Sequence, residues 1–230
     1  MCRGDALKRQ PVVTIDGPAA AGKSTAAREL ARRLGFKLLD TGALYRALAW
    51  AVREAGVSAD DPSAIRSVLE KTTVDLDGGR VLVNGRDVSG ELRAPELGML
   101  TSRLTRLQMV RDKLTPLQRQ LASAGGVVLE GRDTGSVVCP EAEVKFYLDA
   151  DLDERARRRR DELAASGLPA PFETVRAEVR QRDRQDMERE LAPLVRPEGA
   201  LVLDSTALSP EAVVERMLDA VEQARCCTRS

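Results

Sequence analysis

Apolar and polar positions alternate along the chain in a way that predicts strands and helices in turn. Short apolar runs predict buried strands, and longer stretches with apolar residues three and four apart predict helices. The predicted strands cover residues 11–15, 36–40, 126–130, 144–150 and 200–205. The predicted helices cover residues 23–34, 43–55, 63–71, most of 95–123, 152–166, 173–191 and a last stretch capped by Ser209 with Pro210 at its first position. This order indicates parallel βαβ units, and hence an α/β fold of three layers, helix, sheet and helix.

Residues 73–89 have a different pattern. Apolar residues alternate there with period two, and the alternation is interrupted by Gly78-Gly79 and by Asn84-Gly85. Both pairs are typical of tight hairpin turns. We therefore predict a small antiparallel sheet of two or three strands, inserted between helical stretches.

Composition limits the chemistry that the chain can perform. Its 230 residues are 43% hydrophobic, which fits one domain with insertions. The chain contains no His, which excludes Ser-His and Cys-His nucleophiles and every His-ligated metal site. Lys and Arg number 36, as do Asp and Glu, so the formal net charge is 0, and aromatic residues make up only 3%. We therefore expect no nucleic-acid partner.

The chain shows no signal for a membrane or an oxidising compartment. No apolar run reaches the ~18 residues of a membrane-spanning helix, and the first ten residues lack the apolar segment of a secretory signal. Cys2, Cys139, Cys226 and Cys227 have no Cys-x-x-Cys spacing, so we expect reduced thiols. These features favour a cytoplasmic protein without a membrane partner, and we expect a monomer.

The segment GPAAAGKS, from Gly17 to Ser24, fits the pattern G-x-x-x-x-G-K-[ST]. It follows a predicted strand and opens a predicted helix, as this phosphate-binding loop requires. Such a loop turns backbone N–H groups toward phosphate oxygens, and the helix adds the positive end of its dipole. Lys23 would reach the β- and γ-phosphates, and the Ser24 hydroxyl would bind Mg²⁺. We therefore predict a site for a nucleoside triphosphate.

Several classes of protein carry such a loop. A GTPase commonly reads guanine with N-K-x-D, but the only Asn is Asn84, in NGRD of the predicted hairpin. A motor or helicase is usually longer than 230 residues. Small-molecule and nucleotide kinases fit the length, and they need cations that span the transferred phosphoryl group.

Two charged helices near the end of the chain supply such cations. The helices are joined by the turn-rich segment 167–172 and contain few large apolar residues, so we expect a mobile lid that brings cations in and excludes water. The alternative is a solvated face on which arginines pair with interleaved acidic residues. The arginines concerned are Arg155, Arg157, Arg158, Arg159, Arg160, Arg176, Arg180, Arg182, Arg184 and Arg189.

From about Val12 to about Val221 the chain resembles bacterial cytidylate kinases, in the nucleoside monophosphate kinase group. The segments that carry the resemblance are TIDGPAAAGKST (14–25), LLDTGALYR (38–46), DVSGELR (87–93), EGRDTGSVV (130–138), VKFYLDA (144–150), RQRDRQD (180–186), APL (192–194) and LVLDST (201–206). The resemblance implies transfer of the γ-phosphoryl group of ATP to CMP or dCMP with Mg²⁺, in a P-loop kinase fold with a helical lid. It also implies one domain, 1–230, divided into a core (11–40, 124–150, 192–225), a part that binds the nucleoside monophosphate (41–123) and a lid (151–191).

The resemblance assigns roles residue by residue. For ATP it implies Gly17, Pro18, Ala19, Ala20, Ala21, Gly22, Lys23, Ser24 and Thr25, with Ser24 at the Mg²⁺. For the acceptor it implies Thr41, Arg46 and Arg132 at the phosphate, Ser102, Arg111 and Asp133 at the cytosine edge, Arg182 and Asp186 at the sugar, and Arg189 at phosphate. The implied catalytic cations are Lys23, Arg157, Arg158 and Arg189.

The spacing of some of these residues can be tested against helix geometry. Arg182, Asp186 and Arg189 lie at i, i+4 and i+7, so they share one face of a helix, and arginines beside Asp186 would keep it ionised. A plain surface ladder is the alternative. Ser102 and Arg111 are nine residues apart and would lie on opposite sides of a straight helix, so their shared role requires a break between them.

Residues that follow strands are also informative. Thr41 and Arg46 follow the strand 36–40, and residues 130–133 follow the strand 126–130, where open α/β sheets bind ligands. Thr41 has the alternative or additional role of an N-cap. Asp40 and Glu130, at strand ends, are candidates for arranging metal-bound water.

The chemistry needs no general base. The acceptor phosphate has its second pKa near ~6 and is already an anionic nucleophile. Positioning and charge neutralisation would then supply the rate, and Asp133 would accept a hydrogen bond from cytosine N4. The alternatives are a P-loop kinase for another acceptor, such as thymidylate or an alcohol, and a nucleotide-dependent regulator without phosphoryl transfer.

Overall fold

The structure is a computed structural model, which describes residues 9–92 and 94–227 apart from the side chains of Pro95, Cys226 and Cys227. In chain order the elements are β1 (Val12–Asp16), α1 (Lys23–Leu34), β2 (Lys37–Asp40), α2 (Thr41–Glu54), α3 (Pro62–Lys71), β3 (Val74–Asp77), β4 (Arg80–Val83), β5 (Arg86–Asp87), α4 (Pro95–Leu104), α5 (Gln108–Ala122), β6 (Val127–Gly131), β7 (Val144–Asp149), α6 (Leu152–Ala165), α7 (Phe172–Glu188), β8 (Leu201–Asp204) and α8 (Pro210–Cys227). A short π-helical turn, Thr134–Val138, follows β6.

Five strands form the central sheet in the order β2-β6-β1-β7-β8. β1 pairs in parallel with β6 and with β7, and β7 pairs in parallel with β8. The predicted α/β class, with a parallel central sheet, flanking helices and a small antiparallel sheet, is confirmed. The register pairs Asp16 with Gly131, so the chain leaves β1 toward the phosphate-binding loop beside the point where it leaves β6.

The core on one face of the sheet is built by β1, β6 and β7 against α1 and α8. Ile15 and Phe146 are completely buried there, together with Leu30 of α1 and Met217 and Val221 of α8. The short apolar runs that predicted these strands are therefore explained by burial against helices, which removes apolar surface from water.

The π-helical turn packs closely against β1. A Cβ atom on Gly135 would lie only 2.7 Å from Thr14 Oγ1 and 3.0 Å from Pro197 Cγ. Only glycine therefore allows the backbone after residues 132–134 to approach the strand this closely. This approach positions the two predicted site residues that precede the turn.

The chain divides into two compact units, one of Met1–Leu39 with Leu121–Ser230 and one of Asp40–Gln120. The second unit contains the predicted antiparallel sheet, which has three strands in the order β3-β4-β5. Gly78 and Gly79 have φ of 55° and 84°, and Asn84 and Gly85 have φ of 50° and 80°. Positive φ at both central residues is the type I′ hairpin geometry that the two pairs predicted.

A polar cluster ties this small sheet to α2. Trp50 Nε1 donates to Glu91 Oε2 at 2.6 Å, and Arg86 donates to Glu91 Oε1 at 2.7 Å. The Arg86 guanidinium also lies 5.0 Å from the centre of the Trp50 ring. The Arg86–Glu91 ion pair, packed against the Trp50 ring, thus holds the small sheet to α2.

One sequence prediction about helices is confirmed and two change. The stretch 95–123 is two helices, α4 and α5, so the break that Ser102 and Arg111 require is present. α7 ends at Glu188 and not at residue 191, because the following chain folds back and the Leu194 N–H donates to the Asp186 carbonyl at 2.8 Å. The N-cap of α2 is Asp40, which accepts from the Ala43 N–H at 2.8 Å, and not Thr41.

The predicted free thiol is confirmed for Cys139. Cys2 lies outside the described residues, as do the side chains of Cys226 and Cys227. Within the part of the chain that the structure describes, no helix combines the length and the apolar character needed to cross a membrane.

We expect Gly17→Ala to destabilise the fold far more than Gly35→Ala. Gly17 has φ of +149°, and a Cβ there would lie 2.0 Å from the Leu148 carbonyl oxygen in β7. Overpacking together with backbone strain predicts a loss of about 2–4 kcal/mol. Gly35 has φ of +69° but no atom within 4 Å of its Cβ position, so it carries the conformational cost alone, about 1 kcal/mol. Urea unfolding of both variants measures the difference, and equal losses would contradict the close approach.

Candidate active site

The phosphate-binding loop connects β1 to α1. Gly17, Ala20 and Gly22 have positive φ, so the backbone curves back on itself before the helix starts. Gly22 occupies the N-cap position of α1, and no side chain there bonds the first amides of the helix. A curved run of backbone amides that leads into a helix N-terminus is the arrangement that binds phosphate.

Lys23 lies buried at the start of α1. Its Nζ donates to the Pro18 carbonyl oxygen at 2.5 Å. Burial lowers the pKa of Lys23 well below its usual range, and the positive charges of Arg132 and Arg182 lower it further, while Glu130 and Asp186 oppose the shift. A bound anion would favour the charged form of this lysine. The surroundings of Lys23 therefore suit a polyphosphate.

Ser24 and Glu130 join the loop to the end of β6. The Ser24 hydroxyl donates to Glu130 Oε2 at 2.7 Å, and Glu130 is buried. Hydroxyl and carboxylate oxygens are the hard ligands that Mg²⁺ takes, usually together with water and phosphate oxygens. Among residues 9–92 and 94–227 no group of three or more acidic or thiol side chains could hold a metal ion. These residues fit a Mg²⁺ that phosphates and water also coordinate.

Arginines and carboxylates alternate beside this loop. Arg132 Nε donates to Asp186 Oδ2 at 2.8 Å. Arg189 approaches Asp133 Oδ1 at 3.5 Å and Asp186 Oδ1 at 3.9 Å. Burial acts to raise the pKa of Asp186, but Arg132, Arg182 and Arg189 together outweigh burial and lower it. The structure thus brings these five predicted residues together, and the prediction that arginines keep Asp186 ionised is confirmed.

The shared helix face was only partly right. Arg182 and Asp186 belong to α7, whereas Arg189 is the first residue beyond the helix, with extended backbone. Its Nε donates to the Ala192 carbonyl at 2.6 Å, which keeps the guanidinium near Asp186. The bond to Ala192, and not a helical position at i+7, therefore brings Arg189 close to Asp186.

Asp16 was not predicted from the sequence, although it organises the site. It is completely buried and accepts from the Thr134 N–H at 2.9 Å, the Thr134 hydroxyl at 2.8 Å and the Gly135 N–H at 2.7 Å. Burial raises its pKa, and the bonds from Gly135 and Thr134 act in the opposite direction. The sequence did contain a signal for this role: Asp16 is a carboxylate at the end of a wholly buried strand, directly before Gly17. Its bonds hold the segment that contains Arg132 and Asp133.

The arginines of α6 and α7 have several different environments. Arg155 is buried and donates to the carboxylate of Asp183. Arg158 donates to the Ser205 carbonyl at 2.7 Å and to Glu154 Oε1 at 3.0 Å. Arg157 is exposed and pairs with Glu154. The solvated-face alternative is confirmed for four exposed pairs, Arg159–Glu162, Arg160–Asp161, Arg176–Asp153 and Arg184–Glu188.

The remaining predicted residues belong to the second unit. Thr41 is buried in the first turn of α2, and Arg46 donates to Asp40 Oδ2 at 2.9 Å. Ser102 lies in α4 and Arg111 in α5, on either side of the helix break. Arg111 Nε donates to the Thr105 carbonyl at 2.8 Å, inside the break. Asp40, a candidate for metal-bound water, serves here as a helix cap and as the partner of Arg46.

Comparison with known proteins gives one consistent family. The family described as "Cytidylate kinase" matches residues 13–223 of this chain. A protein named "Cytidylate kinase" from Geobacter sp. (strain M21) is 47% identical over 216 residues, which cover 92% of this chain and 93% of that protein. Another of that name, from Caldanaerobacter subterraneus subsp. tengcongensis, is 44% identical over 211 residues, which cover 92% of this chain and 94% of that protein.

A solved structure shares the fold. An uncharacterized protein from Eubacterium ventriosum aligns with a TM-score of 0.52 at 9% identity, over 93% of this chain and 99% of that one. At this identity the likeness concerns the fold alone. The family match and both relatives, in contrast, each extend over more than nine tenths of the sequence, and on that ground the chain belongs to the cytidylate kinase family.

Proposed function

We propose that this chain transfers the γ-phosphoryl group of ATP to CMP or dCMP in an in-line step, and so produces ADP with CDP or dCDP. The activity follows from membership of the family. The observation that supports the residue roles is that the parallel register of β1 and β6 sets the phosphate-binding loop beside the cluster of Arg132, Asp133, Asp186 and Arg189.

The donor side consists of the loop and the first turn of α1. We assign the ATP phosphates to the segment Gly17–Thr25 and to the buried ammonium of Lys23, whose Nζ donates to the Pro18 carbonyl. Ser24, with Glu130 beside it, would hold Mg²⁺, which would supply positive charge to neutralise the phosphates. Electrostatic stabilisation of this kind acts most strongly where water is excluded.

The acceptor side uses the arginine–carboxylate cluster. Arg132 and Arg189 would bind the phosphate of CMP, and Asp186 with Arg182 would bind the sugar hydroxyls. In each case a ligand group takes the place of a partner that the arginine already has in the protein. The acceptor phosphate attacks as an anion, so the absence of His from the sequence is no obstacle.

Asp133 is the proposed reader of the base. It is buried, and the Arg189 guanidinium is its cationic neighbour at 3.5 Å. Cytosine presents an N4 donor, which a carboxylate accepts, whereas uracil presents an oxygen at that position. A mismatched buried polar group stays without a partner, which makes such discrimination large.

Roles for four residues of the second unit and two of α6 rest on the sequence resemblance. We propose Thr41 and Arg46 for the acceptor phosphate, and Ser102 and Arg111 for the cytosine edge. Exposed Arg157 pairs with Glu154 at the surface, where exchange for a phosphate partner costs little. Arg158 lies near the phosphate-binding loop, with its Nη1 3.5 Å from the Ala21 carbonyl oxygen, and would add positive charge beside that loop. We further propose that the protein acts as a monomer in the cytoplasm.

An ADP-release assay with ATP and a panel of acceptors tests the substrate. We expect CMP or dCMP to have the highest kcat/KM among CMP, dCMP, UMP, AMP, GMP and dTMP, because cytosine is the one pyrimidine of this panel with an N4 amino donor for Asp133. Much faster turnover of UMP or dTMP would contradict the proposed acceptor. Binding of ATP without phosphorylation of any acceptor would favour a regulator.

Lys23→Ala is expected to lower kcat by about 10²–10³-fold, as does the loss of one preorganised stabiliser of developing charge. Steady-state kinetics with saturating ATP and CMP measures the effect. Lys71→Ala is the matched control, since Lys71 is exposed at the end of α3. A near-normal rate for Lys23→Ala would contradict the role proposed for its ammonium.

Asp133→Asn is expected to lower kcat/KM for CMP by about 10–100-fold, the loss typical of one hydrogen bond to a charged group. The KM for ATP should stay close to that of the native protein. Asp161→Asn, in the exposed pair with Arg160, is the control for loss of an acidic charge. If the KM for ATP rises as much as that for CMP, Asp133 has a structural role and does not read the base.

A further inference from the structure

Two buried charges on α6 and α7 hold the phosphate-binding loop from outside. Arg155 and Asp183 form an ion pair whose side chains are only 9% and 10% exposed. Arg155 Nη1 also donates to the Ala19 carbonyl at 3.2 Å, and the Ala19 N–H donates to Asp183 Oδ1 at 3.1 Å. Both backbone polar groups of Ala19 therefore bond to this one pair.

Stability alone is a poor explanation for the pair. Desolvation of two charges largely cancels their attraction, and apolar residues of similar volume often serve a core as well. The bonding partners are also informative, because Arg155 and Asp183 bond a loop that leads into a helix N-terminus. A further bond, from Arg155 Nε to the Ala150 carbonyl at 2.8 Å, fixes the guanidinium to the end of β7.

The bonds to Ala19 set the direction of the next amide. In a trans peptide the C=O and the following N–H point to opposite sides, and the described residues contain no cis peptide. Because Arg155 holds the Ala19 carbonyl, the N–H of Ala20 points away from α6 and α7. Ala20 itself has φ of 59°, which is unfavourable for a residue with a Cβ and persists only where the surroundings enforce it.

The peptide two residues later is held in the same way. The Ser205 hydroxyl donates to the Ala21 carbonyl at 3.1 Å, so the N–H of Gly22 points away from Ser205. The Ala19 and Ala21 carbonyls are thus bonded to Arg155 and Ser205, and the N–H groups of Ala20 and Gly22 point to the opposite side.

We propose that Arg155 and Asp183 are positioning residues for the donor nucleotide: they hold Ala19 so that the N–H of Ala20 faces the triphosphate. Neither side chain touches phosphate. Arg155 and Asp183 both belong to the segment 151–191. If this segment moves so that Asp183 separates from Ala19, the loop loses the bonds that hold it. ATP affinity then depends on the position of the segment. The inference rests on the proposed function only in taking the loop to bind the phosphates of ATP.

The main test is the double variant Arg155→Met/Asp183→Leu. It removes both charges together, keeps the volume similar and leaves no buried charge without a partner, so we expect a folded protein. The dissociation constants for ATP and for CMP, each measured alone by calorimetry, are the readout. The constant for ATP should rise about tenfold or more, the loss expected for one misdirected hydrogen bond to a charged group, and that for CMP should change less than about twofold.

A conservative variant and a matched control accompany the double variant. Arg155→Lys keeps the charge beside Asp183 but lacks the fork that reaches both Ala19 and Ala150, so it should raise the ATP constant by a smaller factor. Arg184→Met/Glu188→Leu removes an ion pair from α7 whose side chains are 77% and 66% exposed. This control should bind ATP and CMP as the native protein does.

The outcomes separate a positioning role from a structural one. Unchanged ATP affinity in the folded double variant would overturn the proposal, as would equal losses of ATP and CMP affinity. Should the double variant fail to fold, Arg155→Lys decides by the same two constants. A native protein that binds ATP but phosphorylates no CMP would refute the proposed function, while the effect of Arg155 and Asp183 on ATP binding would still be measured.

Discussion

The carbonyl groups of the phosphate-binding loop are the constraint on which the site depends. A loop that turns its N–H groups toward an anion turns its C=O groups the other way, and buried carbonyls require donors. Arg155 donates to the Ala19 carbonyl and Ser205 to that of Ala21, so the N–H groups of Ala20 and Gly22 point the other way. The Pro18 carbonyl differs, because it accepts from Lys23 and the amide that follows it bonds to Asp183. Residues more than 130 positions away along the sequence therefore belong to the loop as much as its own glycines do.

The same edge of the sheet brings opposite charges into one small volume. Asp16 is the last residue of β1 and Glu130 the next-to-last of the neighbouring strand β6, and Asp16 holds the turn that follows Asp133. Arginines next to carboxylates satisfy each other without a ligand. Attraction between charges acts at short range, so these arginines can attract a phosphate although the chain as a whole has no net charge.

Sequence patterns predicted those features that depend on local chemistry. Gly35 in the left-handed conformation ends α1, and the two turn pairs made the hairpins of the small sheet, because those residues accept positive φ. The π-helical turn at 134–138 was not predicted, since its N–H groups bond Asp16, a residue more than 110 positions earlier. Likewise the sequence does not distinguish Arg155 from Arg157, since both lie in one charged stretch. Arg155 is buried because it faces α7, whereas Arg157 faces solvent. The family residues Arg132, Asp133, Asp186 and Arg189 were found from motifs, whereas Asp16, Asp183 and Ser205 required the tertiary structure.

Burial of Lys23 makes the charge of its ammonium sensitive to a nearby phosphoryl group. The low pKa of Lys23 reflects lost hydration together with the nearby charges of Arg132 and Arg182, so its ammonium gains most when a phosphate oxygen approaches. Charge on the transferred phosphoryl group spreads over its oxygens as the reaction proceeds, and a fixed, poorly hydrated cation follows that change without rearrangement. Only interactions that are stronger in the transition state than with bound ATP raise kcat, whereas equal binding of both lowers KM alone. The bond to Pro18 in the same loop holds Lys23 in the buried position that its proposed role requires.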